Sequence, residues 1–426
     1  ELFWHAEMRV GNFKYVDRGL KLGMLEGNRF EIVIRNIWMD NEKVLAAGSD
    51  SVDKEISSKT ATRLTRNLEA VKRIVGEGAK ALKEVGFVNY FGMQRFGKFF
   101  DTHEVGVAIL RNDYAAAVNI IMREKPPGRE HERSAAARHR WSCRFATCKD
   151  SPQNPPSQRE LEQHAARSVG RDLGRFMTCE RSMMQYLSRR GLDYAGAFGC
   201  IPRNMRLMFL HAIQSLVWNR VASYRAGVTP MACHQVMPGD LVLVSDKVEK
   251  DGGSGTSGLR GKDVAVVTEE DVGKYGVADI VLPLPGSKVK YPTNCTGKVY
   301  EEVLAELGIS KSHFKHKRGE YTLGGDYRKF LCRPKDVTWN FYQYKDPVQP
   351  LLQTDLMQVT KHELKPSLHE DIVSSGVVPI LGMVICFTLP PSAYATVALR
   401  EMTKRPTSAD YQRELALEGP CEYKIK

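Results

Sequence analysis

The sequence predicts an α+β protein, and three observations carry that expectation. An alternating strand pattern, Glu31-Ile32-Val33-Ile34-Arg35, is followed by a helical one over Thr60–Val85. There Leu64, Leu68, Val71, Val75, Ala79 and Leu82 recur every three or four residues, and Gly86 stops the run. After Gly97 the pattern turns mostly helical, over Glu104–Met122, Cys179–Arg190 and Arg203–Arg225. From Asp326 it reverts to strands, Tyr327–Cys332, Val337–Tyr344 and Met383–Thr388, and closes on a helix, Ser392–Thr403.

Between these lie shorter elements. Pro238-Gly239-Asp240 leads into a strand, Leu241–Val244, and Asp251–Gly261 is a Gly/Ser-rich loop. Ile280–Leu284 reads as a strand and Lys298–Leu307 as a helix. The polar stretch Arg123–Gln158 reads as a loop in which Arg129, Arg133, Arg138, Arg140 and Arg144 mingle with Trp141 and Phe145. Such a loop either follows a phosphate backbone or is a solvated insertion. The positive run His313–Arg318 carries the same two readings. His211, Gln214 and Trp218 share one side of the third long helix, where domain packing outweighs a catalytic cluster.

At 426 residues the chain exceeds what one core usually supports, so two domains are expected. Its 62 Lys and Arg against 50 Asp and Glu give a net charge of +12, which suits an anionic partner such as nucleic acid. Nine scattered cysteines without a Cys-x-x-Cys spacing argue against a disulfide framework and a paired zinc site, and for a reducing intracellular setting. No His-Glu-x-x-His pair is present, and no metal is expected. The apolar stretch Val377–Leu389 is interrupted by Pro379 and Gly382 and too short to cross a bilayer, so no membrane partner is expected. No secretory leader is visible at Glu1. Without a nucleotide-binding glycine fingerprint or a nucleophile elbow, a small-molecule enzyme is disfavoured.

The run Leu20-Lys21-Leu22-Gly23-Met24-Leu25-Glu26-Gly27-Asn28-Arg29-Phe30, leading into the first strand, gathers an aromatic ring, a side-chain amide and a guanidinium around a glycine turn. Phe30 can stack on a planar heterocycle, Asn28 can read a base edge, and Arg35 can contact phosphate. The alternative is a tight turn opening a half-buried strand, with Phe30, Ile32 and Ile34 on the core face. Spacing alone favours the turn.

Other segments shift that balance. Asn12-Phe13-Lys14-Tyr15 precedes the run, Gly86-Phe87-Val88-Asn89-Tyr90-Phe91-Gly92-Met93-Gln94-Arg95-Phe96-Gly97 follows it, and Leu389-Pro390-Pro391-Ser392-Ala393-Tyr394-Ala395-Thr396 lies near the end. His211-Ala212-Ile213-Gln214-Ser215-Leu216-Val217-Trp218-Asn219-Arg220, Pro238-Gly239-Asp240, Leu282-Pro283-Leu284-Pro285-Gly286 and Tyr327-Arg328-Lys329 fall between. In this order, from about Gly11 to about Lys404, the segments resemble the TruD family of pseudouridine synthases, in particular its eukaryotic branch.

The resemblance implies an α+β catalytic domain with a mixed or antiparallel sheet, interrupted by a mostly helical α+β insertion domain. The catalytic parts are placed at 1–101 and 322–426 and the insertion at 102–321. It implies isomerisation of uridine to pseudouridine in structured RNA, with the uridine flipped from its stack, and no cofactor. Asn28 and Phe30 would then bind the uridine, and Phe387 would form a second apolar wall. Phe387 reads equally well as ordinary core. Arg35, Arg95, Lys98, Arg328 and Lys329 are the candidate RNA contacts, each also readable as a surface ion pair.

The family's Gly-x-Lys-Asp segment, which carries the catalytic aspartate, has no match upstream of Asn12. That aspartate is expected upstream of Glu1. Ala146-Thr147-Cys148-Lys149-Asp150 looks similar but sits in a proline-rich stretch, and Asp150 is treated as a decoy. The competing expectation is a non-catalytic or dual-role RNA-binding factor acting in ribosome assembly. Transfer, ribosomal, small nuclear and messenger RNA are all open as targets, with a mitochondrial site favoured over a nuclear one.

Overall fold

The computed structural model describes residues 3–4, 9–10, 13–17, 19–20, 24–37, 59–145, 157–228, 235–244, 264–344, 346, 348–360 and 380–417, the side chains of 3–4, 9–10, 59–67, 409 and 415–417 aside. These residues form two compact units. One takes the chain up to Asn89 and again from Leu331; the other runs from Tyr90 to Phe330.

The first unit is organised by a three-stranded antiparallel sheet of β1 (Asn28–Ile34), β2 (Lys335–Tyr344) and β3 (Ile380–Leu389), with β3 in the middle. The register pairs Phe30 with Phe387, Ile32 with Ile385 and Ile34 with Met383. On the other side of β3, Trp339 pairs with Ile385 and Phe341 with Met383. Residues opposite one another in such a ladder share a face. Leu381, Met383, Ile385, Phe387 and Leu389 are thus buried on one face, and Val384 on the other. A central strand covered on both faces reads as nearly continuous apolar sequence, as β3 does.

Helix α1 (Lys59–Glu84) lies against this sheet, with Val71, Leu68 and Val75 packed around Leu381 and Phe341. It closely matches the helix read from its apolar stripe. Its end is fixed by Gly86, at φ +90, where a Cβ would meet the Cys332 carbonyl oxygen at 2.4 Å. Phe87–Val88 then pairs antiparallel with Leu331–Cys332.

The stretch read as one strand, Tyr327–Cys332, serves two different sheets. Asp326–Lys329 pairs with Val281–Leu284 in the second unit, whereas Leu331–Cys332 belongs to the first. No glycine or proline stands between Tyr327 and Cys332, so nothing in the sequence marks the switch.

The second unit is mostly helical. The helix expected over Glu104–Met122 is divided into Thr102–Leu110 and Tyr114–Ile121. Asn112 takes the left-handed conformation (φ 61), and the Asp113 carboxylate accepts the Ala116 N–H at 2.8 Å, capping the second helix.

The loop expected over 123–158 is corrected in part. Glu132–Ser142 is a helix, and α2 (Gln158–Asp172) starts within the same range. Ser134, Ala137, Arg138 and Trp141 form the buried side of the first of these. Arg138 donates to Glu130 and Glu180 at 3.0 Å each and to the Ile121 carbonyl at 2.6 Å. Arg133 and Arg140 both pair with Asp172, and Arg144 lies over Trp141 at 4.1 Å. Arg133, Arg138, Arg140 and Arg144, read as part of an RNA loop, are therefore engaged within the protein. The pattern hid the helix because an ion-paired arginine occupies a core position. Asp150 lies outside the described residues.

Next come α3 (Thr178–Arg190), packed against α2, and α4 (Arg203–Gly227). Glu162 of α2 is fully buried and accepts the Tyr194 hydroxyl at 2.8 Å. Burial pushes its carboxyl above the ordinary value of 4.5. The folded protein thus holds this proton more tightly than the unfolded chain. The stability it contributes is present below 4.5 and is lost as pH rises through the raised value. Glu162→Gln should remove that loss, flattening the decline of Tm from mildly acidic to neutral pH; an unchanged slope in a thermal-melt series would refute the assignment.

Candidate active site

The glycine turn before β1 is held tightly. A Cβ on Gly27 would come within 2.4 Å of the Leu389 carbonyl oxygen, so only glycine lets β1 begin beside the end of β3. Asn28, the first residue of β1 and register partner of Leu389, is exposed. Its amide therefore remains free to meet a base edge, with no side-chain hydrogen bond among the described residues.

Two positions on, Phe30 is half-buried. Its ring lies 5.7 Å from that of Phe387, tilted by 34°. Phe387 is fully buried, so it has no face to offer and instead backs Phe30 from within the sheet. A supported, half-buried aromatic ring on the strand that also carries an exposed amide can hold a flat heterocycle while permitting rotation about the ring normal. The neighbouring Arg29 is exposed and paired with Glu31 at 2.9 Å.

A carboxylate not singled out from the sequence sits at the same end of the sheet. Asp336 occupies the register shift of β2, takes the left-handed conformation (φ 54) and accepts the Thr388 hydroxyl at 3.1 Å. Thr388 alternates with Phe387 along β3, so this contact lies on the face opposite the Phe30 ring. The sequence signal is weak: an aspartate near a proline, able to adopt such a backbone.

The candidate RNA-binding cations divide by environment. Arg35 donates to the Gln349 carbonyl at 2.7 Å and lies 5.4 Å over the Tyr344 ring, and it is exposed. Lys98 and Lys329 are exposed, Lys98 donating to the Arg129 carbonyl at 3.3 Å. Arg95 is half-buried, donating through Nε to the Ser215 hydroxyl at 3.2 Å and lying 5.4 Å over Phe91. Arg328 is corrected: it is buried, its guanidinium stacked 4.0 Å over Phe91 and 5.4 Å from Trp218. It is packed within the second unit, where neighbouring aromatic faces supply the favourable surroundings a buried guanidinium needs.

The segment His211–Arg220 of α4 acts as a hub. Asn219 both accepts the Phe91 N–H at 2.8 Å and donates to the Phe91 carbonyl at 3.0 Å. Gln214 donates to the Pro285 carbonyl at 2.8 Å and Trp218 to the Leu282 carbonyl at 3.2 Å. Burial, aided by the Arg95 charge, lowers the His211 pKa below its ordinary value and favours the neutral ring. The packing reading of this cluster therefore holds, and it ties together three of the motif segments. Asp240 of Pro238-Gly239-Asp240 is equally structural. It is fully buried and accepts from Arg225 at 2.7 and 3.2 Å, from the Met237 N–H at 2.9 Å and from Asn294 at 3.0 Å. His316 of the positive run is buried as well, its Nε2 lying 3.1 Å from the Ile109 carbonyl oxygen.

Comparison with known proteins gives the fold and the family. The fold is similar to that of a crystal structure of the putative tRNA pseudouridine synthase D (TruD) from Methanosarcina mazei, with a TM-score of 0.59 at 24% identity, covering 91% of this chain and 71% of that one. The profile of the family tRNA pseudouridine synthase D (TruD) matches residues 5–402, and the chain belongs to that family. Among its relatives is the Pseudouridylate synthase 7 homolog of Homo sapiens, 33% identical over 412 residues, which are 96% of this chain and 50% of that protein. The Multisubstrate pseudouridine synthase 7 of Schizosaccharomyces pombe is 34% identical over 425 residues, 95% of this chain and 53% of that protein. The chain thus spans about half the length of these relatives.

Proposed function

We propose that the protein isomerises uridine to pseudouridine in structured RNA. The observation that carries this reading, beside the family, is the half-buried Phe30 ring lying against Phe387, with the exposed Asn28 two residues before it on the same strand. In the reaction the C1′–N1 bond breaks, the freed uracil turns, and C1′ joins C5; C5 loses its proton and N1 gains one. Nothing is oxidised or reduced, and the base must be retained between the two bond changes. Stacking on Phe30 retains it in plane, and Asn28 reads its edge. Flipping the uridine out of its stack costs a few kcal/mol, offset by backbone contacts to which Arg35, Lys98 and Lys329 contribute. Arg95 acts on this reading by bracing the 91–96 segment. None of the described carboxylates is assigned the task at C1′.

The segment 102–321 is taken as the family insertion, a reading supported by the compactness of Tyr90–Phe330. Transfer RNA is the favoured target, after the family description. A mitochondrial address belongs to the same proposal, tested by locating the full-length protein in cells. The experiment that decides the activity is mapping of modified uridines in RNA incubated with and without full-length protein. New pseudouridine is the expected result. Tight binding without conversion would instead favour the RNA-binding factor acting in ribosome assembly.

A further inference from the structure

Resting on the RNA reading above, a second surface extends it. We propose that the outer face of the α2–α3 hairpin is an RNA-docking surface that grips phosphates with arginines and stacks an unpaired base on Phe176 at its turn. Arg159, Arg167, Arg171, Arg175, Arg181 and Arg189 are all exposed, and none forms an ion pair among the described residues. Arg167 and Arg171 follow His164 down the outward side of α2, and Arg181 and Arg189 flank Gln185 on that of α3. Steps of three or four residues place such side chains one above another on a helix. The short connection brings Arg171, Arg175 and Arg181 to the same end of the hairpin.

The acids that would neutralise this face are engaged elsewhere. Asp172 pairs with Arg133 and Arg140, and Glu180 with Arg138. Glu160 is bound by its own helix cap at Ser157, Asp193 accepts the Tyr186 hydroxyl, and Glu162 is buried against Tyr194. Glu160 and Asp193 keep their charges, held by neutral groups at the two ends of the hairpin, and the six arginines outnumber them, so the face is net positive toward solvent.

Residue choice points to phosphate and base. Apart from His164, every cationic side chain from 157 to 193 is an arginine and none is a lysine. Guanidinium forks match phosphate oxygens two at a time and stack on planar rings, which an ammonium does not do. At the turn, Phe176 is 84% exposed, with the Arg175 guanidinium 4.7 Å over its ring. A solubilising surface has no use for a bare phenyl ring, whereas single-stranded nucleic acid is held by aromatic platforms beside arginine.

The test uses full-length protein carrying R167Q, R171Q and R181Q together, and separately Phe176→Ala. Binding to a labelled structured RNA is followed across a salt series, with circular dichroism to check the fold. The triple variant should bind more weakly, with a log-log salt slope shallower by about 2, since each phosphate left without its cation removes roughly 0.7 to 0.9. Phe176→Ala should weaken binding about fivefold or more without changing the slope. Unchanged affinity and slope in the folded triple variant overturn the proposal. Unchanged affinity in Phe176→Ala overturns its stacking half. Should the wild type bind RNA yet convert no uridine, the enzymatic reading fails while the docking face is still judged by the slopes.

Discussion

Replacing Phe30 by alanine in the full-length protein is expected to cut uridine turnover by about a hundredfold, the scale on which faulty positioning is felt. RNA affinity should change little, because binding is spread over many phosphate contacts and one ring supplies a small share of it. The ring also packs against Phe387 at 5.7 Å, so its removal costs some stability. With about 1.5–3 kcal/mol at stake for a fully buried phenyl group, the loss for this half-exposed one lies below that range. Phe30→Leu separates the two effects, retaining apolar contact with Phe387 while removing the flat aromatic face. Single-turnover assays should find Phe30→Leu folded and slow. If it turns over like the wild type, or if both variants lose binding and turnover in proportion, stacking is not what Phe30 does.

The second large effect is expected at Arg225. Its fork to Asp240, at 2.7 and 3.2 Å, is wholly buried. Arg225→Met would leave the carboxylate without its cation, while Met237 N–H and the Asn294 amide continue to hold it in place. Breaking such a pair costs about 3–5 kcal/mol, most of it from the charge left unpaired. Urea denaturation should report the loss as a lower midpoint. A loss under about 1 kcal/mol would mean that water or a shifted proton relieves Asp240. Removing both charges together is expected to cost less than the single change, since no charge is then stranded.

Much of the fold is legible where one face of an element is apolar. The stripe of α1 and the alternation of β1 announce themselves because each packs on one side. The helix at Glu132–Ser142 does not, because Arg138 stands at a core position and its compensation by Glu130 and Glu180 comes from outside that helix. The division at Asn112 and Asp113 is legible in principle, since those two residue types favour a left-handed turn and a helix cap. At the candidate site, the glycine turn and the strand it enters are readable locally, but spacing alone favours a plain turn, and only the family resemblance singles out Phe30 and Asn28. Alternation could not decide Phe387, because β3 is the middle strand and apolar on both faces. Arg328 misleads because a cation in a strand looks solvent-directed until the aromatic rings of Phe91 and Trp218 are found beside it.

The pairing of Phe87–Val88 with Leu331–Cys332 has an architectural consequence. Val88 and Leu331 are register partners, so the polypeptide leaves the first unit and re-enters it at adjoining positions. Whatever is spliced between them need only have neighbouring ends, a condition most folded modules satisfy. The host ladder is indifferent to the cargo's length. A change in the length of the chain between them therefore need not disturb the strands that carry Phe30 and Phe387.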